Sequence, residues 1–353
     1  MYDIAIIGLG PGGATLARLL DPSFKVIAID KKNETKESFH KPCGGLLAPD
    51  AQKALSRFNL TLPKDVLVDP QIFAVKTIDL KRNLLRYYQR FYINLDRRKF
   101  DNWLISLIPE NVEIVKNSVC TGIKKIEEGY EITCAENGVV HKVSSRFVVG
   151  ADGSNSVVRK ALFPKKKIKR YLSIQQRFPE RNNKPFYSSI FDKGITDSYC
   201  WTISKDNVFI LGGAFPVKGA KSKFECLKAR LAERGIETGV PIKTEACMVS
   251  MPRRLRDFYT GRNGAFLIGE AAGFISPSSL EGISYALDSA FILAKAINSR
   301  RKHLNRKYKA ATLRIRLKLL AKCLKRPFMY RPVLRKIIMK SGIKTIKVIE
   351  SET

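Results

Sequence analysis

The chain has 353 residues, 44% hydrophobic and 27% charged, which places it in the globular range and leaves room for a large core in two intimately joined lobes. Charge is the outlier: 64 Lys and Arg face 32 Asp and Glu, for a net +32. Such a balance selects anionic partners, either nucleic acid or a membrane surface.

Taken in order, Asp3 to Ile7 is an apolar, β-branched run of strand length. Gly8-Leu9-Gly10-Pro11-Gly12-Gly13 follows at once, and Ala14 to Leu20 reads as a helix. In this strand, turn and helix context, the GxGxxG spacing points to a dinucleotide. Gly8 is expected to make the tight turn, Gly10 to admit a pyrophosphate, and Gly13 to let helix and strand pack closely. A second strand, Lys25 to Ile29, ends in Asp30, at the distance where a ribose diol needs an acceptor. The bland alternative is a glycine turn in an ordinary βα unit.

A polar loop from Lys31 to His40 leads to Pro42-Cys43-Gly44-Gly45, then to a helix from Pro49 to about Arg57. Ile72 to Asp79 and Leu84 to Ile93 alternate as strands, and Asp96 is placed to cap a helix carrying Trp103, Leu104 and Leu107. Three strands are expected at 112–115, 120–127 and 130–135, with a hairpin signal at Asn137-Gly138. Arg146 to Arg159 reads as a strand, a tight acidic turn at Gly150-Ala151-Asp152-Gly153, and a helix start. From Ile174 to Phe215 the composition predicts an antiparallel sheet, and 221–235 a helix. Ala265 to Ile268 is a buried strand leading into Gly269-Glu270-Ala271-Ala272-Gly273 and, after Gly282, a helix to about Ala296. Between Asp288 and Glu350 there is no acid, and Lys and Arg are interleaved with Leu, Ile and Met.

The seven cysteines, Cys43, Cys120, Cys134, Cys200, Cys226, Cys247 and Cys323, contain no CxxC pair, which argues for reduced thiols in a cytosolic protein. His40, His141 and His303 lack metal-ligand spacing, and no metal is expected. No uncharged run reaches transmembrane length, and the N-terminal apolar run lacks the basic start of a signal peptide.

The three glycine motifs, in this order and spacing, resemble flavoproteins of the p-hydroxybenzoate hydroxylase fold, and within them the geranylgeranyl reductase family. The resemblance covers essentially the whole chain. It implies an α/β (α+β) architecture: a Rossmann-like FAD-binding lobe (about 1–75, 94–165 and 262–300), an interleaved antiparallel-sheet substrate lobe (about 76–93 and 166–261), and a basic helical segment, 301–353. Two motifs favour the reductase branch. Pro42-Cys43-Gly44-Gly45 resembles the family's cysteine-glycine motif beside the flavin. Tyr199-Cys200-Trp201-Thr202-Ile203-Ser204 with Leu211-Gly212 is similar to its YxWxFP…VG pocket pattern, departing from it at Ile203-Ser204 and Leu211.

The resemblance implies roles, and each has a plainer counterpart. Glu270, where the family has Asp, would accept from a ribityl hydroxyl. Asp152 and Gly153 would shape the turn near the pyrophosphate, or are simply a turn and helix cap. Arg97, in Arg97-Arg98-Lys99-Phe100-Asp101, would lie near the flavin, or is a solvated charge at a helix start. Pro277 and Gly282 would lie under the isoalloxazine, or form a helix-start turn. Cys43 is a proton donor, a redox thiol, or a small side chain that fits. Tyr199 and Trp201 share one strand face, and wall a pocket or pack a core.

The expected activity is reduction of a C=C bond in an isoprenoid or other hydrophobic lipid by hydride from flavin N5, the proton coming from Cys43, Tyr199 or water. NAD(P)H or a small electron carrier would be the reductant. The rivals are an aromatic monooxygenase, a halogenase variant of it, and a non-catalytic membrane-associated flavin-binding protein. For the basic C-terminus, the membrane surface is preferred to a solvated face; no nucleic-acid motif is present.

Overall fold

The computed structural model describes residues 1–33, 41–180 and 186–349. Most of the expected loop from Lys31 to His40 lies outside these residues, as does His40 itself.

Tyr2–Ile7 is the hub of an eight-stranded sheet. It pairs in parallel with Val26–Ile29 on one side and with the end of Val139–Gly150 on the other. Val112–Val115 and Ala265–Leu267 extend the parallel core outward. Alternation along the hub strand decides its packing. Ile4 and Ile6 face Leu16 and Leu293 on the helices Pro11–Leu19 and Ile283–Asn298. Ala5 and Ile7 face the opposite layer, with Ile132 and Phe274. Burial on both faces explains the unbroken apolar run, and each buried Ile is worth about 1.5–3 kcal/mol.

Gly129–Glu136 turns into Val139–Gly150 through Asn137 (φ 48°) and Gly138 (φ 83°), the left-handed pair that an Asn-Gly hairpin turn requires. The strand expected near 146–150 is thus the end of a twelve-residue strand. It begins in antiparallel pairing and finishes in the parallel core.

The second sheet has nine strands. Lys243–Ser250, Arg170–Pro179, Val208–Pro216, Cys200–Lys205 and Phe186–Phe191 are antiparallel neighbours. The expectation of an antiparallel sheet throughout fails at one place: Phe186–Phe191 runs parallel to Ile72–Asp79. Between these strands the chain passes through much of the first sheet, and so long a crossover can return in either direction. Ile72–Asp79 belongs to the second sheet from its first residue, so the boundary expected near residue 75 falls inside a strand. The helix Ala220–Ala232 covers one face of this sheet with Phe224 and Leu227.

The C-terminal segment folds as helices Leu304–Ala311, Leu313–Tyr330 and Pro332–Ser341. It is not wholly helical, because Thr345–Ile346 pairs with Tyr88 and Tyr87 at the edge of the second sheet. The segment is anchored by Tyr308, whose hydroxyl donates to Leu267 O at 2.9 Å. It is also anchored by Arg335, which donates to buried Asp79 at 2.9 and 2.8 Å. No helix among the described residues is long and apolar enough to cross a membrane.

Candidate active site

A cavity of about 830 Å³ opens between the two sheets, within the size range of ligand sites. Every expected site residue except Gly13 and Pro277 lines it. Residues more than 270 positions apart in sequence therefore share one wall.

At one end lies the glycine turn. Gly8 has φ +98°, and a Cβ there would meet Ala151 O at 2.9 Å. A Cβ on Gly13 would lie 1.9 Å from Gly8 O, so Gly13 serves packing and not the cavity wall. Gly10 differs: a Cβ there would meet nothing within 4 Å and would project into open space. Gly10 caps the helix Pro11–Leu19 without a side-chain hydrogen bond, so the positive helix end is offered to the cavity. Asp30 Oδ2 accepts from Leu9 N at 2.7 Å and Oδ1 from Lys32 N at 3.0 Å, so the acid braces the turn as well as lining the cavity.

The second and third motifs meet here. Asp152 Oδ2 accepts from Val157 N at 2.7 Å, so the helix-cap reading holds for one oxygen. Its Oδ1 is buried without a partner among the described residues, and burial raises the carboxyl pKa. Arg159, which sequence reasoning left without a role, bolts the motifs together: it donates to Ala271 O at 2.7 Å and to Ser154 O. Glu270 Oε1 accepts from Ser250 N at 2.7 Å and Oε2 pairs with Lys41. Both oxygens thus have partners within the chain, although a carboxylate retains further lone pairs for a ligand hydroxyl. An open glycine cradle, a free helix end, an unpartnered buried carboxylate oxygen and nearby lysines fit the pyrophosphate and sugar hydroxyls of a flavin dinucleotide.

The Cys43 loop lies at the centre. The Cys43 sulfur accepts from Gly45 N at 3.4 Å. Burial alone would push the thiol pKa up, but the Arg97 guanidinium against the sulfur, with Gly45 N–H and Lys41, brings it below the ordinary thiol value. Arg97 is not the solvated charge of the plainer reading: it is largely buried and donates to Asp101 at 2.8 Å. Asp96, as expected, caps this helix through Arg98 N and Lys99 N.

The far end is aromatic. Tyr199 and Trp201 stand on one face of Cys200–Lys205 and its entry, with ring centroids 5.5 Å apart. They line the cavity and also pack in the core cluster with Ile203 and Ile275, so the two readings are not exclusive. Gly212 pairs directly with Trp201, and a Cβ there would lie 2.6 Å from the indole, so only glycine lets the ring lie against the next strand. Tyr199 donates to Ser279 O at 2.7 Å and touches the Tyr187 hydroxyl; burial raises both phenols. Glu281 was not singled out from sequence, although it adjoins Gly282. It lines this end, accepts from Tyr92 at 3.1 Å, and is raised above the usual carboxyl pKa by burial. Pro277 is buried in the turn before Ser279 and does not reach the wall; the loop closes on itself through Ser276 N to Glu281 O at 2.9 Å, leaving 279–282 to face the cavity.

No protein-family model matches the chain. Over 343 residues it is 50% identical to Protein CbrA of Escherichia coli O6:H1, covering 97% of this chain and 94% of that protein. The chain belongs to the CbrA family. Its fold recurs more widely. This CbrA relative superposes with a TM-score of 0.80 on a geranylgeranyl bacteriochlorophyll reductase-like protein of Thermoplasma acidophilum, at 19% identity over 99% of this chain and 94% of the other. With PqsL, a probable FAD-dependent monooxygenase of Pseudomonas aeruginosa, the TM-score is 0.71 at 17% identity, over 96% and 98% of the two chains. At such identities the likeness is one of fold, and the expected α/β flavoprotein architecture is the one found.

Proposed function

We propose that the protein is an FAD-dependent oxidoreductase that reduces a C=C bond of an isoprenoid or other hydrophobic lipid. The observation that carries the reading is the continuity of the cavity. The glycine turn, the Cys43 loop and the aromatic residues Tyr187, Tyr199 and Trp201 all line one cavity, with Lys41 paired to Glu270 and Gly44 packed against Ile203. When bound and reduced, the flavin supplies a hydride.

The chain's own residues do the rest. Gly10 and the helix end hold phosphate, with Asp30 and Asp152 offered to hydroxyls. Tyr187, Tyr199 and Trp201 orient an apolar chain and exclude water. Reduction also requires a proton at the second carbon. Glu281 lines the aromatic end, is steadied by Tyr92 and has its carboxyl raised by burial, so it is the donor we assign, in place of Cys43, whose thiol is shifted the other way. Arg97 and Cys43 form a polarised pair in the cavity wall. NAD(P)H or a small electron carrier would reload the site with electrons.

The test is anaerobic. The purified protein is reduced with dithionite and mixed with polyprenyl lipids, while flavin absorbance and product mass are followed. Flavin reoxidation with a product two hydrogens heavier supports the reading. A flavin that stays reduced until oxygen is admitted, with oxygen then found in the product, overturns it in favour of a monooxygenase.

A further inference from the structure

We propose that the C-terminal helices form a docking surface for an anionic lipid bilayer, placed beside the aromatic end of the cavity. The surface stands on its own observations. Only its use, delivering an apolar substrate, rests on the function proposed above.

Residues 301–349 contain 17 Lys and Arg and no Asp or Glu. A solvated basic face would explain the charge alone, but Leu313–Tyr330 carries a second pattern. Leu313, Leu317, Leu324 and Phe328 are 46%, 53%, 74% and 50% exposed. At about 100° per residue they fall within roughly 60° of the helix circumference, a single stripe. Ile315 and Leu319, on the other side, are buried in the core. Packing the protein accounts for the buried face and leaves the exposed stripe unexplained. Arg314, Lys318 and Lys325 flank the stripe on its neighbouring sector. The next helix, Pro332–Ser341, repeats the theme, with exposed Val333 and Ile337 one turn apart beside Lys336 and Lys340.

A partner for this surface must be anionic and must also accept aliphatic side chains beneath its charge. A bilayer of anionic lipids meets both demands, with headgroups for the cations and acyl chains for the Leu and Phe stripe. Single-stranded nucleic acid meets only the first, since its bases stack on aromatic rings and the stripe holds one Phe among leucines. A second copy of the chain would bring another +32 against the first.

Position adds the functional point. At the end of the same helix, Met329 and Tyr330 pack on the cluster of Tyr199 and Trp201, and Tyr330 donates to Ser278 O at 2.6 Å. Near its middle, Lys318 reaches Asp50 at 2.9 Å, on the helix whose Ala51 lines the cavity. One helix thus carries the exposed stripe on one side and packs at its end on the cluster that holds Tyr199 and Trp201. A bilayer on this surface would hold an apolar substrate close to the wall that carries Tyr199.

The test is flotation of the full chain with vesicles of phosphatidylcholine alone or with added phosphatidylglycerol. The wild-type protein is expected to float with the anionic vesicles and to bind neutral ones at least tenfold more weakly. The triple variant Leu317→Glu, Leu324→Glu, Phe328→Glu alters exposed positions only, and an unchanged circular dichroism spectrum and melting point establish that it folds. It is expected to lose at least tenfold in anionic-vesicle binding. Lys218→Glu with Lys221→Glu changes net charge by a larger amount elsewhere and is expected to float as the wild type does. Absence of flotation, a triple variant that binds normally, or a homopolymer RNA that displaces the protein from vesicles would each overturn the proposal. Reduction of a detergent-dispersed polyprenyl lipid, measured separately, tests the proposed activity without the bilayer, so failure of one is distinguishable from failure of the other.

Discussion

Replacing Arg97 with Met keeps most of the side chain's length and removes the charge beside the Cys43 sulfur. Asp101 is not orphaned, because Lys32 remains 3.5 Å away. A pair of unit charges at about 4 Å with an effective dielectric near 20 is worth about 4 kcal/mol, or about three pH units of thiol ionisation. Lys41 still favours the thiolate and the cavity admits water, so the expected rise is about one to three units. The sign follows from linkage. In the native chain the thiol pKa is lowered by folding, so stability climbs as pH rises through that lowered value toward the ordinary 9.0, is fully present above it, and is lost as pH falls. In Arg97→Met that contribution is lost and burial dominates. The assay is alkylation of Cys43 by iodoacetamide across pH, read by peptide mass spectrometry, with exposed Cys226 as the internal reference. The Cys43 midpoint is expected to move up, and Arg97→Lys to recover part of the difference. An unmoved Cys43 midpoint in the Met variant would refute the claim that the guanidinium sets the charge of this thiol.

Gly10→Val is expected to leave the melting point of the apoprotein nearly unchanged, because nothing lies within 4 Å of the new Cβ, and to strip flavin from the purified protein. Gly13→Ala, with a Cβ 1.9 Å from Gly8 O, is expected to damage folding as well; flavin absorbance and thermal melts separate the two. For Glu281→Gln, turnover is expected to fall by about 10²-fold or more, the usual weight of a general acid. The wild-type rate should decline as pH rises through the raised Glu281 pKa, and a kcat profile that keeps this limb in the Gln variant would assign the proton to another group. Arg335→Met leaves Asp79 buried with Arg82 3.8 Å away, and is expected to cost about 3–5 kcal/mol by urea unfolding. Asp79→Leu combined with Arg335→Met should recover most of that loss, since it removes both charges together.

The glycine-turn end of the cavity was legible because its geometry is local. Gly8, Gly10, Gly13 and Asp30 belong to one turn and two adjacent strands, so their spacing defines the turn. Asp96 as a cap and Asn137-Gly138 as a hairpin were readable for the same reason: each satisfies its own neighbours. The aromatic end was legible in part. Alternation placed Tyr199 and Trp201 on one face, but only the paired strand shows that Gly212 makes room for the indole.

What the sequence by itself determined was therefore the set of elements and the glycine cradle, since periodicity and turn chemistry depend on residues a few positions apart. Only the tertiary structure decided which distant groups face one another. It sent Phe186–Phe191 back parallel to Ile72–Asp79, brought Arg97 against Cys43, tied Glu270 to Lys41, and aimed Glu281 into the cavity while turning Pro277 away. Those outcomes depend on long crossovers and on burial, which shift pKa values and choose charge partners through space, and no spacing along the chain encodes them.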